Sequence, residues 1–163
     1  YARQHLHFAI LALQLGRRKD ATGQLVEAIA LNPNYAVDVD VWTQIACAHQ
    51  GRIDAGTMRG LDWSRAESDV VGMLVALDDA TAQTGSVQHP RSRRGYAWLA
   101  LARHAYGVAH DTPRSRGYLG RALRAWPAAL WRTDWLAWAT RSTIGYERAQ
   151  RLKRSLQGRP RHA

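Results

Sequence analysis

The feature that most constrains the fold is a pair of similar segments placed 94 residues apart. In the first segment, small and apolar residues recur at helical spacing on both sides of Gly16, and the pattern stops at Pro33. Residues three or four positions apart share one helix face, and proline cannot continue a helix, so this segment predicts two antiparallel helices. Four positions recur at the constant offset: Leu25 with Leu119, Ala28 with Ala122, Ile29 with Leu123, and Pro33 with Pro127.

The turns of the two predicted hairpins differ in the sequence. Gly107 corresponds to Gly16 at an offset of 91, so we expect the second turn to be three residues longer than the first. Asp111 and Pro113 follow Gly107 and indicate the start of the next helix, because an aspartate can cap a helix and proline is tolerated in the first turn.

The first segment resembles a tetratricopeptide repeat (TPR). In that family, small residues lie where two helices approach closely, a larger apolar residue fills the gap, and proline ends the second helix. Six positions match: Ala9, Gly16, Ala21, Leu25, Ala28 and Pro33. His5 and Ala12 replace the aromatic residues that the family usually has. The resemblance implies an all-α fold of antiparallel hairpins stacked as a short, irregular superhelix, with a groove for a peptide or protein partner.

We predict one helical domain over the 163 residues, because a chain of this length buries a core without disulfides or metals. Helical spacing at 35–49 and 64–82 predicts further helices, whereas 84–94 is rich in glycine, proline and polar residues and predicts an exposed loop. The domain then has four parts: a TPR-like unit at 2–33, a divergent middle at 35–94, a second TPR-like unit at 95–127, and a capping tryptophan helix with a basic tail at 128–163.

Positive charge is concentrated in the second half of the chain. Residues 1–90 carry 7 basic and 10 acidic side chains, whereas residues 91–163 carry 16 basic and 3 acidic ones. Such a field can attract phosphate groups, nucleic acid or anionic lipid, but it also arises on solvated helix faces. The arginines are spread over several segments and no nucleic-acid-binding module is recognisable. We therefore favour solvated faces and do not expect a nucleic-acid partner.

The sequence contains no pattern that indicates catalysis. A glycine-rich phosphate loop and a nucleophile elbow are both missing, so we predict no catalytic, cofactor-binding or metal-binding residues in this chain. Cys47 and His49 come near a metal-ligand pattern, but a zinc site needs about four converging ligands. Asp38 and Asp40 are expected at a helix start, where acids are favoured, because no strand pattern precedes them as it would in a nucleotide-sugar site.

Tryptophan and arginine alternate after Pro127 and define a candidate interaction surface. Its five residues are Trp131, Arg132, Trp135, Trp138 and Arg141, with the tryptophans at helical spacing i, i+4 and i+7. One interpretation is an amphipathic helix lying on an anionic membrane. The other is a helix that caps the open end of the stack, and we favour it because Leu130, Leu136 and Ala139 broaden the apolar surface.

Most of the chain is similar to the helical region that follows the catalytic domain in some bacterial family 2 glycosyltransferases. Those regions pair a unit like 2–33 with a later block, here Ala102 to Ser142, which contains His104-Ala105-Tyr106 and a tryptophan-bearing segment after Pro127. The family commonly has an asparagine-arginine pair after this proline, where Trp131-Arg132-Thr133 stands here. The resemblance implies that any sugar-transfer site lies N-terminal to Tyr1.

The resulting hypothesis is a non-catalytic C-terminal domain of a bacterial glycosyltransferase that acts in protein interaction, oligomerisation or docking. The alternative is a stand-alone TPR-type adaptor that binds a peptide or protein partner. In both cases we expect a protein partner or self-association, with peripheral contact to an anionic membrane as an addition. Cys47 is the only cysteine and no apolar stretch is long enough to span a bilayer. We therefore expect a cytoplasmic location, at the inner face of the membrane if the domain binds lipid.

Overall fold

The computed structural model describes residues 1–50, 60–84 and 90–145 together with Arg148 and Arg151, and these ranges form an all-helical fold without strands. The predicted all-α class is confirmed. Within these ranges the α-helices are Ala2–Gln14 (α1), Arg18–Leu31 (α2), Val39–Cys47 (α3), Trp63–Thr84 (α4), Pro90–Gly107 (α5), Thr112–Ala125 (α6) and Thr133–Ile144 (α7). Short 3₁₀ helices follow α2, α3 and α6 at Pro33–Val37 (η1), Ala48–Gln50 (η2) and Pro127–Trp131 (η3).

Two helical hairpins, α1–α2 and α5–α6, contain the most extensive helix pairs of the fold. In the first hairpin the small residues Ala9, Ala21 and Ala28 are buried around Leu25, which lets the helix backbones approach closely. In the second hairpin the hydroxyl of Ser115 is buried and donates a hydrogen bond to the carbonyl of Ala102, at 2.9 Å. In the first hairpin, the helices are thus positioned by small residues packed with one larger apolar residue, as the sequence predicted.

The offset of 94 holds for the backbone as well as for the sequence. Helices α2 and α6 begin and end 94 residues apart, as do η1 and η3, and α3 and α7 begin at the same offset. The residue after α2, Asn32, has φ −143° and ψ 92°, and its counterpart Trp126 has φ −142° and ψ 80°. Asp38 and Arg132, which precede α3 and α7, also match, with φ −100° and −101°. The predicted internal repeat is confirmed and extends beyond the prolines.

The turn between the helices of the second hairpin differs from its prediction. Gly107 is the last residue of α5 and is not the counterpart of Gly16. The left-handed backbone position of the first turn is Gly16, with φ 72°, and that of the second is His110, with φ 56°. These two residues are 94 apart, so the offset continues through the turn. The expected three-residue insertion is wrong, because the left-handed position is occupied by a residue other than glycine.

The divergent middle contains a helix that is longer than predicted. Helix α4 extends the expected 64–82 by one residue at its start and by two at its end. Asp62 caps its start, because the Asp62 carboxylate accepts a hydrogen bond from the Arg65 amide, at 3.0 Å. The aspartate side chain reaches that amide from one turn earlier and leaves Glu67 available for a contact with another helix.

The loop predicted at 84–94 is wrong at both ends: residue 84 is the last of α4, and residues 90–94 form the first turns of α5. Arg93 is fully buried there and forms an ion pair with Asp78 of α4, which also pairs with Arg94. This tertiary contact stabilises a helix at 90–94, where the polar local composition predicts a loop. Residues 85–89 lie outside the described residues, as do the predicted connection at 51–59 and the end of the basic tail at 152–163.

Helix α3 lies between the two hairpins and packs against α4 and α5. Its first turn is fixed by Asp38, whose carboxylate accepts the backbone amide of Asp40 at 2.7 Å, and Asp40 in turn pairs with Arg103 of α5 at 3.0 Å. The prediction that these two acids begin a helix is confirmed. Trp42 is completely buried, and its indole donates to the carbonyl of Ala36, at 3.0 Å.

Among the described helices, none is both long enough and apolar enough to cross a lipid bilayer.

Candidate interaction surface

The structure places the five predicted surface residues in different environments. Trp131 is the last residue of η3 and is 91% exposed, and Arg132 beside it is exposed as well. Trp135 is 1% exposed and belongs to the core. Trp138 is half-buried, and Arg141 is exposed. The three tryptophans therefore do not form one stripe, because Trp131 precedes α7 and Trp135 faces the interior.

Trp135 is held in an aromatic cluster between α5, α6 and α7. Its ring meets Tyr96 at 5.7 Å and Trp126 at 5.6 Å, both edge to face, which is a favoured geometry for aromatic pairs. Gly95 makes room for this cluster, because a Cβ atom at that position would lie 2.9 Å from the Cβ of Trp126. The cluster attaches α7 to the second hairpin.

Trp138 connects two arginines to the same hairpin. Its ring contacts Tyr106 edge to face at 6.0 Å. The guanidinium groups of Arg103 and Arg141 lie 5.8 and 5.3 Å from its ring centre, distances at which a cation is attracted to the face of an indole. Of the predicted pair of arginines, Arg141 is thus positioned by a tryptophan while its charge remains in solvent.

The exposed surface at this end of the molecule also includes two leucines. Leu130 and Leu136 are 49% and 46% exposed, although the sequence suggested that they would broaden a buried cap. We call the surface formed by Leu130, Trp131, Arg132, Leu136 and Arg141 the C-terminal face. It combines three large apolar side chains with two cations, and no acidic residue is among these five.

A groove adjoins the C-terminal face through Arg132. Its volume is about 770 Å³, within the range of about 300–1,000 Å³ that is typical of ligand pockets. The lining residues come from η1, from the first turns of α5 and from the segment around η3: Val37, Pro90, Arg91, Ser92, Tyr96, Trp126, Pro127, Ala128 and Arg132. The lining is mainly apolar, contains two arginines and includes no carboxylate, so the groove is suited to an apolar group that carries negative charge.

A second concave region lies between α4 and α6 and is polar. The Tyr118 hydroxyl donates to one oxygen of Glu67 at 2.7 Å, and Arg121 donates to the other, also at 2.7 Å. The rings of Trp98 and Tyr118 are stacked, and Arg121 lies 5.0 Å from the centre of Trp98. Both oxygens of the carboxylate are thus engaged by the protein itself. This arrangement joins α4 to α6.

The protonation equilibria of Glu67 and Tyr118 reflect this contact. Burial raises the pKa of the Glu67 carboxyl, but the hydrogen bonds from Tyr118 and Arg121 and the charges of Arg121 and Arg114 outweigh burial, so the net pKa lies below its ordinary value. Burial raises the pKa of the Tyr118 hydroxyl well above its usual range, and the bond to Glu67 raises it further. Both groups therefore keep their charge states at neutral pH.

The buried ionisable groups of the first half form structural contacts. Asp69 of α4 pairs with Arg18 at 2.6 Å and Arg65 at 3.4 Å, and His49 lies 3.7 Å from it. Burial raises the pKa of the Cys47 thiol to about 11, so the thiolate that acts as a nucleophile is scarcely populated at neutral pH. Within the described residues, no group of three or more histidine, cysteine or acidic side chains is arranged to hold a metal ion.

Comparison of the chain with models of known families, with curated proteins and with solved structures found no match. The assignment of the candidate surface therefore depends on the exposure and the contacts of its residues. Sequence spacing identified Trp131, Arg132 and Arg141. It assigned Leu130 and Leu136 to a buried cap, and it missed Arg91. The offset of 94 relates Leu130 and Leu136 to Ala36 and Trp42, which are buried in the first copy.

Proposed function

We propose that this chain is a non-catalytic helical interaction domain and that the C-terminal face is where it binds protein. The observation that carries the proposal is the exposure of Leu130, Trp131 and Leu136 beside two arginines. Large exposed apolar side chains beside charged ones are typical of interaction sites, and tryptophan and arginine are among the residues enriched at binding hot spots.

Within this proposal, we infer that the domain is the C-terminal region of a bacterial family 2 glycosyltransferase. The support is the resemblance of the block Ala102 to Ser142, which includes the α5–α6 hairpin and most of α7. The domain would order, oligomerise or dock an enzyme whose sugar-transfer site lies elsewhere. A single buried cysteine agrees with a cytoplasmic setting.

The full gene product tests the glycosyltransferase assignment directly. A nucleotide-sugar domain encoded upstream of Tyr1 supports it, and further helical repeats in that position favour the adaptor. In the transferase, Trp131→Glu should leave kcat with a nucleotide-sugar donor unchanged and should weaken assembly or docking, as measured by sedimentation of the enzyme. Val75→Glu, at an exposed apolar position of α4, is the matched control. A loss of kcat with assembly intact would contradict the assignment.

The second candidate function is a stand-alone adaptor that binds a peptide. The groove between η1, α5 and η3 favours it, because an apolar lining with Arg91 and Arg132 suits a peptide in which a large apolar residue is flanked by acids. A synthetic peptide with a central leucine flanked by glutamates should change the tryptophan fluorescence of the protein on titration, because Trp126 lines the groove, and Trp126→Phe should remove most of that change. Arg91→Glu should weaken that binding about tenfold or more, because it replaces an attraction by a repulsion. An equal affinity for the wild type and the variant would exclude this use of the groove.

Peripheral contact with an anionic membrane can accompany either function. Exposed Trp131 with Arg132 and Arg141 supports such contact, but the burial of Trp135 removes one of the three tryptophans that the sequence suggested. Sedimentation with vesicles rich in phosphatidylserine should show binding that weakens with salt and with Trp131→Ala. Absence of binding at low salt would eliminate this addition.

A further inference from the structure

The two copies of the repeated segment, at 2–47 and 90–144, pack against each other inside the molecule. Their contact is a template for a contact between molecules. Helix α5 begins the second hairpin, and it packs against η1 and α3, which end the first copy. The buried residues of these two elements include Ala36 in η1 and Trp42, Ile45 and Ala46 in α3. The chain therefore shows how the start of one copy covers the end of another.

Within the described residues, the corresponding end of the second copy is more exposed. At the offset of 94, Ala36 and Trp42 correspond to Leu130 and Leu136, which are both exposed. Ala46 corresponds to Thr140, which is also exposed. The C-terminal face is thus the surface on which a helix equivalent to α5 would pack, and among the described residues none fills that position.

The start of the first copy has the complementary property. Helix α1 begins the first hairpin, as α5 begins the second, and one side of α1 carries exposed apolar residues. Phe8 is 54% exposed, Leu11 is 39% exposed and Leu15, just after the helix, is 71% exposed. Their spacing of three and four residues places them on one side of the helix. We call these three residues the N-terminal face.

We propose that a second copy of this chain occupies the C-terminal face, with the N-terminal face of one molecule packed on the C-terminal face of the next. The contact would reproduce between molecules the packing of α5 on η1 and α3. Residues 8–15 contain no charged side chain, so this segment can approach Arg132 and Arg141 without like-charge repulsion. This inference rests on the proposed function only in taking the C-terminal face as a protein-binding surface.

The geometry fixes the kind of assembly that should form. The two faces differ, so the contact is heterologous, and each molecule in a pair retains one unused face of each kind. A heterologous contact that does not close into a ring produces open chains. Association should therefore continue beyond the dimer as the concentration rises.

Sedimentation velocity over about 1 μM to about 1 mM, a range that brackets weak associations, tests this proposal. The wild type should show a sedimentation coefficient that rises with concentration beyond the dimer value. Phe8→Glu blocks the N-terminal face and Leu136→Glu blocks the C-terminal face, so each variant alone should be monomeric. Both positions are exposed, and circular dichroism should show unchanged helicity. Val75→Glu places the same substitution on α4 and should associate like the wild type.

A mixture of the two blocked variants gives the decisive measurement. Phe8→Glu retains its C-terminal face and Leu136→Glu retains its N-terminal face, so the mixture should form a 1:1 dimer that does not grow. A wild type that stays monomeric overturns the proposal. Dimers in either blocked variant alone would show contact between two like faces and would also overturn it. Loss of self-association with retained binding of a protein or peptide at Trp131 would reject this inference alone and keep the proposed function.

Discussion

The two copies of the repeated segment, at 2–47 and 90–144, share a backbone course but differ in their surroundings. Trp42 in α3 is completely buried, whereas Leu136 at the corresponding position of α7 is 46% exposed. The φ angles before these helices agree within a degree, so the local structure does not depend on what covers it. The repeat therefore specifies the helices and turns, whereas the elements that pack on each copy decide which faces are core and which are surface.

The two copies also differ in which helix start has a side-chain cap. In the first copy Arg17 precedes α2 without a side-chain cap, and Asp38 caps α3. In the second copy Asp111 caps α6, and Arg132 precedes α7 without a cap. Each cap contributes about 1 kcal/mol. The same backbone is therefore stabilised at different helix starts in the two copies.

The largest expected difference in stability is between a substitution at Trp42 and the same substitution at Leu136. Trp42→Ala should destabilise the protein by about 3–5 kcal/mol, because it leaves a cavity and removes an indole from the core. Leu136→Ala should cost no more than about 0.5 kcal/mol, as expected at an exposed site. Urea unfolding followed by circular dichroism measures both, at a concentration where the protein is monomeric. Equal effects would show that the C-terminal face is covered in solution.

A second pair of substitutions tests the packing between the helices of each hairpin, which the two copies share. Leu25 and Leu119 are both buried between the helices of their hairpins. Leu25→Ala should destabilise by about 2–5 kcal/mol, and Leu119→Ala by an amount in the lower half of that range, because Leu119 is slightly exposed. Thermal unfolding is the measurement. A midpoint that does not change in Leu25→Ala would contradict the assignment of the first hairpin.

The two turns should respond to substitution with opposite signs. Gly16→Ala should destabilise by about 1 kcal/mol, because a left-handed backbone is unfavourable for residues with a Cβ atom. His110→Gly should stabilise by up to about 1 kcal/mol for the same reason, reduced by the greater freedom of glycine in the unfolded chain. Thermal midpoints of the two variants, each against the wild type, provide the comparison. A destabilising His110→Gly would show that the histidine side chain outweighs the backbone cost.

The smallest effect concerns how α4 is joined to each copy. It contacts α2 through Arg18 and Asp69 and contacts α6 through Glu67, Tyr118 and Arg121. Because the folded-state pKa of Glu67 is lowered, its ionised form adds stability above its unfolded-state pKa of about 4.3, and this stability is lost as the pH falls through the folded-state value. Stability should therefore decline on acidification below about pH 4.3.

Glu67→Gln isolates this contribution. The variant should be less stable than the wild type at pH 7, and the difference should shrink as the pH falls below about 4.3. Urea unfolding at a series of pH values is the measurement. A difference that does not depend on pH would assign the role of Glu67 to its hydrogen bonds rather than to its charge.

The sequence by itself determined the helical class, the two hairpins and the offset that relates them. These features depend on residues close in sequence, since helical spacing, Asp38 as a cap and the prolines at 33 and 127 act within a few positions. The same local reasoning failed at 90–94, where a buried ion pair between Arg93 and Asp78 brings a polar segment into α5.

Only the tertiary structure decided which aromatic and apolar residues are available for binding. Trp131 and Trp135 are four positions apart, yet one is 91% exposed and the other is buried against Tyr96 and Trp126. Helical spacing cannot distinguish them, because exposure depends on whether another element packs on that side of the chain. Helix α5 packs on that side of the first copy, whereas the same side of the second copy is exposed and forms the C-terminal face.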